Sequence, residues 1–173
     1  MPSGTLFVLG GARSGKSRYA QARAEASAGK LIFIATAQAF DAEMTDRIVQ
    51  HRADRGERWS TVEAPLDLAG AIAAHDAPDT LLLVDCLTLW ASNLMFDERD
   101  IAYETENLGS AIGGARGGII LVANEVGLGI VPDNALARRF RDVAGSINQA
   151  VAAAADEAVM MFAGLPLWLK KSG

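Results

Sequence analysis

The segment GGARSGKS, residues 10–17, constrains this chain more than any other stretch. Gly10, Gly11, Ala12, Arg13, Ser14, Gly15, Lys16 and Ser17 fill the spacing G-x-x-x-x-G-K-[ST] completely. An apolar run, 5–9, precedes the segment, and an alanine-rich helical stretch, 16–28, follows it. Strand, glycine-rich turn and helix is the context in which such a turn cradles phosphates. The glycines let the backbone bend tightly and aim N–H groups inward. The helix N-terminus adds partial positive charge. In this reading Lys16 reaches the β- and γ-phosphates, and the Ser17 hydroxyl ligates Mg²⁺. Arg13 and Arg18 add charge that serves either phosphate or solvent.

A nucleotide cradle also needs a carboxylate for the metal. The run LLLVDC, 81–86, is an apolar strand ending in Asp85. That places Asp85 at the carboxyl edge of the sheet, beside the cradle. The neighbouring Cys86 reads as a small buried residue rather than a nucleophile.

Further short apolar runs at 31–35, 80–84, 118–123 and 158–163 have the character of buried parallel strands, and 59–62 suggests another. Helical patterns lie between them at 41–56, 66–75 and 136–155. In the last of these Leu136, Phe140, Val143, Ile147 and Val151 form one stripe. Region 96–115 gives the weakest pattern and is expected to be partly helical and mobile. Strands alternating with helices predict an α/β fold with a largely parallel sheet, and 173 residues suit one domain, 1–173.

The formal net charge of −5 argues against a general nucleic-acid binder. The single cysteine excludes an intramolecular disulfide and a cysteine metal cage, and it fits a reducing compartment. The N-terminal residues lack the pattern of a signal peptide, and no apolar stretch is long enough to span a membrane. The expectation is a cytoplasmic protein.

There are two histidines. His75 sits near a helix end and carries no assigned role. His51 lies in DRIVQHRADRGERW, where Arg47, His51 and Arg55 share one helical face at i, i+4 and i+8. Arg52 and Arg58 are close in sequence, and Asp46, Asp54 and Glu57 interleave. Spacing alone allows a solvated, ion-paired helix. It equally allows a neutral imidazole in an anion-binding patch, able to attack phosphorus and carry a nucleotidyl group.

Several segments together resemble one family. They are GGARSGKSRYA, IFIATAQAFDAEMTDRIVQHRADR, WSTVEAP, VDCLTLWASNL and VANEVGLGIVPDNALARRFRDVAGSINQAVAAAADEAV. The chain resembles the bifunctional adenosylcobinamide kinase / adenosylcobinamide-phosphate guanylyltransferase family of cobalamin synthesis over nearly its whole length. The most specific part is N-E-V-G-x-G-I-V-P with A-R-x-F-R-D-x-A-G-x-x-N-Q after it. The resemblance implies a three-layer, RecA-like P-loop NTPase fold. It implies phosphorylation of adenosylcobinamide with ATP or GTP. GMP transfer from GTP to adenosylcobinamide phosphate then follows through a GMP-histidine intermediate, with His51 at the accepting position. Ala35, Thr36, Ala37, Arg52, Ala53, Asp54, Arg55, Glu63 and Asp85 match positions that line the family's GTP site. A homotrimer is implied as well. Gln50 stands where some relatives have His, and Asp85 where some have Glu. Asn124 and Glu125 either shape a pocket or serve as a turn cap and an arginine partner.

Two other readings use the same cradle. A different P-loop kinase would leave His51 idle. A nucleotide-dependent switch would have no small-molecule acceptor, although no N-K-x-D guanine-reading motif is present.

Overall fold

The computed structural model describes residues 4–38 and 56–171. The elements, in chain order, are β1 (Thr5–Gly10), α1 (Lys16–Glu25), β2 (Lys30–Ala35), β3 (Trp59–Glu63), α2 (Leu68–His75), β4 (Thr80–Asp85), α3 (Leu87–Phe96), α4 (Ile101–Gly113), β5 (Gly118–Asn124), α5 (Ala135–Ala154), β6 (Glu157–Phe162) and β7 (Leu165–Lys170). The helix expected at 41–56 lies outside the described residues except for Gly56.

The strands form one sheet in the order β3-β2-β4-β5-β1-β6-β7. Every pairing is parallel except β6 with β7, which is antiparallel. Alternate side chains of a strand face opposite sides, so each central strand feeds two cores. Phe7, Leu82, Val84, Ile119 and Leu121 pack on one face, under α2, α3, α4 and α5. Leu6, Val8, Leu81, Leu83, Ile120 and Val122 pack on the other, against Ala20 and Ala24 of α1. Those two alanines are fully buried, and their small size lets α1 lie close on the sheet. The result is a three-layer α/β architecture, as the family resemblance implies.

One expected segment gains definite bounds, and two elements have no counterpart among those expected. Within region 96–115, Ile101–Gly113 form the helix α4, packed through Leu108 and Ile112, which agrees with the expected partly helical segment. It starts with a good cap, since the Asp100 carboxylate accepts from the Tyr103 amide at 3.1 Å. The stretch after Asp85 is a helix, α3, for which the sequence pattern offered no element. The strand β7 has no counterpart in the sequence reading. It closes the edge, and its Lys170 ammonium donates to the carbonyls of Ala152, Ala153 and Ala155 at the end of α5, where a cation is favoured. Of the three tryptophans, Trp90 is wholly buried and donates its Nε1–H to the Leu66 carbonyl at 2.8 Å. Trp59 meets Phe33 edge-on, and Trp168 packs against the α1-side core.

Asp76 ties the end of α2 to the start of β5. Its carboxylate accepts from the backbone amides of Arg116 and Gly117 at 2.8–3.0 Å and from the Arg116 guanidinium at 3.2 Å. Burial alone would push its pKa up, but these donors outweigh it and hold the carboxyl below the usual range. Folding therefore favours the ionised form. The stability it contributes is complete above the unfolded value of about 4 and is lost as pH falls through the lower folded value. Urea unfolding of Asp76→Asn across pH 7 to 3 is expected to show a lower stability at neutral pH and a shallower acid limb below about pH 4. An acid limb identical to wild type would remove Asp76 from this role.

Candidate nucleotide site

In a sheet covered on both faces, ligand-facing groups collect where parallel strands end. Register decides which residues meet there. Ala35 of β2 pairs with Glu63 of β3 on one side and with Asp85 of β4 on the other. Glu63, Ala35 and Asp85 thus occupy one row at the carboxyl edge, although they are far apart in sequence. Asp85 is two strands from Gly10, across β5, a distance of about 10 Å at ~4.8 Å per strand.

The cradle leaves β1 at Gly10. The Gly10 carbonyl accepts from the Glu125 amide at 3.0 Å, which ties the loop's root to the end of β5. Ser14 folds back over Gly10. Its amide donates to the Gly11 carbonyl at 3.3 Å, and its carbonyl accepts from the Gly164 amide at 2.9 Å. A Cβ on Gly10 would lie 2.3 Å from Ser14 Oγ and 3.1 Å from the Met161 carbonyl oxygen, so glycine is required by space. Ser14 Oγ fills that space and is buried with no partner among the described residues. Arg13 and Gly15 both have positive φ, 55° and 91°, and together they turn the chain into α1.

The caps of the helices differ in one respect. Side chains of Asp67, Cys86, Asp100 and Asn134 each accept from an amide in the first turn of α2, α3, α4 and α5. The N-cap of α1 is Gly15, with no side-chain hydrogen bond. Among the described residues no side chain caps the first amides of α1, which is the condition for anion binding at a helix start. Lys16 lies in the same turn, with its Nζ donating to the Gly11 carbonyl at 3.2 Å, and Ser17 is exposed beside it.

The structure brings Gly10, Gly11, Ala12, Arg13, Ser14, Gly15, Lys16 and Ser17 into this one loop and places Ala35, Ala37, Glu63 and Asp85 along the same edge. His51, Arg52, Ala53, Asp54 and Arg55 lie outside the described residues. Thr36 sits at the edge, but its side chain turns inward and is fully buried. Its hydroxyl donates to the Cys86 carbonyl at 2.8 Å and accepts from the Cys86 amide at 2.9 Å. It therefore fixes the turn after Asp85 from within. Asn93 strengthens the same joint by donating to the carbonyls of Thr36 at 2.8 Å and Pro65 at 2.9 Å. The sequence reading missed Asn93, because an asparagine inside an apolar helix has no periodic signature. The Cys86 thiol is pushed up by burial and then by the Asp85 charge, which suits a structural cysteine.

Asn124 ends β5, and its amide donates to Thr88 Oγ at 2.7 Å. The Glu125 carboxylate accepts from the Gly127 amide, closing its own turn. Arg141 secures the next residues through the carbonyls of Gly127 and Ile130, and Arg138 through those of Pro132 and Asp133. The most specific signature thus builds a loop pinned at the cradle's flank.

Fold and cradle together define a P-loop nucleotide-binding protein of RecA-like architecture. Solved structures agree on the fold. The flagellar accessory protein FlaH from Methanocaldococcus jannaschii matches with a TM-score of 0.53 at 11% identity, covering 98% of this chain and 79% of that one. The assembled ATPase EscN of the enteropathogenic E. coli type III secretion system matches with a TM-score of 0.59 at 12% identity, covering 92% of this chain and 43% of that one. Sequence narrows the class. Residues 6–169 match the model of the cobinamide kinase / cobinamide phosphate guanyltransferase family. The chain is 47% identical over 166 residues to the bifunctional adenosylcobalamin biosynthesis protein CobP of Pseudomonas aeruginosa, covering 95% of this chain and 96% of that protein. It is 41% identical over 180 residues to CobU of Salmonella typhimurium, described in the same words, covering 95% and 99%. The chain belongs to the cobinamide kinase / cobinamide phosphate guanyltransferase family.

The crowding around Gly10 is open to test. Gly10→Ala is expected to weaken binding of a fluorescent GTP analogue by at least about tenfold, because the cradle must shift to admit the methyl group. Ser14→Ala removes a buried hydroxyl with no partner among the described residues, so it should leave the urea midpoint unchanged or slightly raised. Clear destabilisation by Ser14→Ala would mean that the hydroxyl has a partner in solution.

Proposed function

We propose that one domain performs both reactions of its family at a single nucleotide cradle. The enzyme is a bifunctional cobinamide kinase and cobinamide-phosphate guanylyltransferase. The observation that carries the residue assignment is the shared edge. The uncapped start of α1 and the row of Asp85, Ala35 and Glu63 all stand at the carboxyl ends of the sheet.

In the first reaction the aminopropanol hydroxyl of adenosylcobinamide attacks the γ-phosphorus of ATP or GTP. A new O–P bond forms, the β–γ bridging bond breaks, the hydroxyl proton leaves to a base or solvent, and the nucleoside diphosphate departs. The chain's contribution is positioning and charge. Backbone amides of the cradle hold the phosphates, and Lys16 follows the charge that moves onto the β–γ bridge. The Ser17 hydroxyl and the Asp85 carboxylate are hard oxygen donors, a set that suits Mg²⁺. Bound there, Mg²⁺ supplies charge neutralisation on the phosphates. Thr36 and Asn93 act as positioning residues for Asp85.

In the second reaction the His51 imidazole attacks the α-phosphorus of GTP. An N–P bond forms and pyrophosphate leaves. A phosphate oxygen of adenosylcobinamide phosphate then attacks the same phosphorus, the N–P bond breaks, and adenosylcobinamide-GDP results. Arg52 and Arg55 are assigned to the phosphate oxygens. Ala53, Asp54 and Glu63 are assigned to the rest of the guanosine site. These roles rest on motif matching. Incubation with Mg²⁺ and GTP labelled at the α-phosphorus, without acceptor, should give acid-labile, base-stable label on the denatured protein. His51→Ala should abolish that label while retaining ATP-dependent phosphorylation of adenosylcobinamide, and Lys16→Ala should lose both. Label that persists in His51→Ala would move the nucleophile elsewhere.

The family resemblance also suggests a homotrimer in the cytoplasm. Among the described residues no helix is long and apolar enough to cross a membrane. Edge strand β7 offers a surface for self-association, because Leu165, Leu167 and Leu169 alternate on one exposed face. Light scattering after size exclusion should give three times the chain mass for wild type and a smaller species for Leu167→Glu. An unaltered trimer in the variant would exclude this face.

A further inference from the structure

A second surface stands at the carboxyl edge, away from the cradle. The apolar stripe of α5 that buries Ile147 and Val151 continues to Leu136, which is 56% exposed. Opposite it, α3 ends in Phe96, which is 75% exposed. Between them lies a cavity of about 240 Å³ lined by Ser92, Met95, Phe96, Asn134, Leu136 and Phe140, among others. A second cavity of about 370 Å³ is also lined by Phe96, with Ala37, Gln38 and Leu66. Both include Ser92 and Phe96, so the two cavities adjoin at the end of α3 and together make a trough.

The trough is continuous with the reaction edge. The helix α3 begins two residues after Asp85, and Thr88 on its first turn bonds the end of β5. Asn93 bonds the ends of β2 and of the β3–α2 connection. From Leu87 to Phe96 is about 13 Å along the helix axis. A large ligand seated on Phe96 would thus need a tether to bring a reacting group to the cradle.

The polar lining narrows the ligand's chemistry. It consists of Gln38, Ser92, Asn93 and Asn134, all uncharged. Among the described residues the single ionised lining group is Asp97, whose carboxylate is paired with Arg99 at 2.6 Å. Asn93 commits its Nδ2 to two carbonyls, leaving Oδ1 to accept; Asn134 commits its Oδ1 to the Ala137 amide, leaving Nδ2 to donate. Among the described residues no cation lines the trough, so a nucleotide is a poor occupant. A broad, apolar ring fringed with neutral amides is a good one. The amides match Asn93 and Asn134, and the ring face matches Phe96, Leu89 and Leu136.

We propose that this trough docks the corrin ring of adenosylcobinamide, with Phe96 as its central contact, so that the aminopropanol arm extends along α3 to the cradle. The assignment rests on the kinase reading above and adds the place where the acceptor is recognised.

Equilibrium dialysis of adenosylcobinamide against the full-length protein without nucleotide tests it, using wild type, Phe96→Ala and Leu136→Ser. Both positions are exposed, so both variants should keep the wild-type melting temperature. The expected result is a Kd for adenosylcobinamide raised at least about tenfold in Phe96→Ala and several-fold in Leu136→Ser. The Kd for GTP and the oligomeric mass should stay within error of wild type. Unchanged corrinoid affinity in both variants would overturn the proposal. Equal loss of GTP affinity would give the trough to the nucleotide, and a change of mass would give it to a second copy; either overturns it. Wild type that fails to phosphorylate adenosylcobinamide with ATP would instead overturn the kinase reading beneath it.

Discussion

A parallel sheet buried on both faces leaves chemistry only one place to go. Strand side chains in this protein belong to two cores, and burying those apolar residues is what holds the layers together. Reactive groups must therefore come from the turns beyond the strands. The parallel register brings the ends of β1, β2, β3, β4 and β5 to the same edge. Within that edge, α1 has a glycine in place of a side-chain cap, so no described side chain covers its first amides. The stability that a Ser or Asp cap would have added over glycine, roughly a few tenths of a kcal/mol, is given up for a site that accepts a phosphate instead.

The edge would be of little use if its turns were loose. Two buried hydrogen bonds from Thr36 hold the Cys86 peptide on both its N–H and C=O sides. Asn93 joins that turn to two further strand ends. The Thr36 and Cys86 groups are buried, so leaving one of them unpaired costs about 1–3 kcal/mol. The network makes the position of Asp85 a consequence of the core. The loop after β5 follows the same logic, with arginines of α5 holding its carbonyls.

Much of this was legible in the sequence, and the reasons are specific. Buried parallel strands are short runs of aliphatic residues, so 5–9, 80–84 and 118–123 stood out and proved right within a residue or two. The cradle was legible because its chemistry demands particular residues at fixed spacing. The helix α3 was not, because LTLWASNLMF is apolar on nearly every side and runs straight on from a strand. Strand β7 was hidden by Pro166 and by leucines that face outward. Register was illegible altogether. No spacing rule could say that Glu63, Ala35 and Asp85 share a row, since that depends on which strands become neighbours. The role of Thr36 was half legible. The motif marked its position, but only packing shows its hydroxyl turned inward.

A cradle made of backbone amides has a consequence for specificity. It grips phosphates and is indifferent to the base attached to them. Phosphoryl transfer from either ATP or GTP asks nothing more of residues 10–17. Guanylyl transfer does, because the base travels with the transferred group. Discrimination must then come from side chains outside the loop. Glu63, at the far end of the edge row, is about 19 Å from Gly10 across four strand spacings. Separating phosphate grip from base choice lets one site serve two transfers. In the proposed scheme the cradle would fix the phosphates for both, and the acceptor or the proposed histidine would decide which phosphorus is attacked.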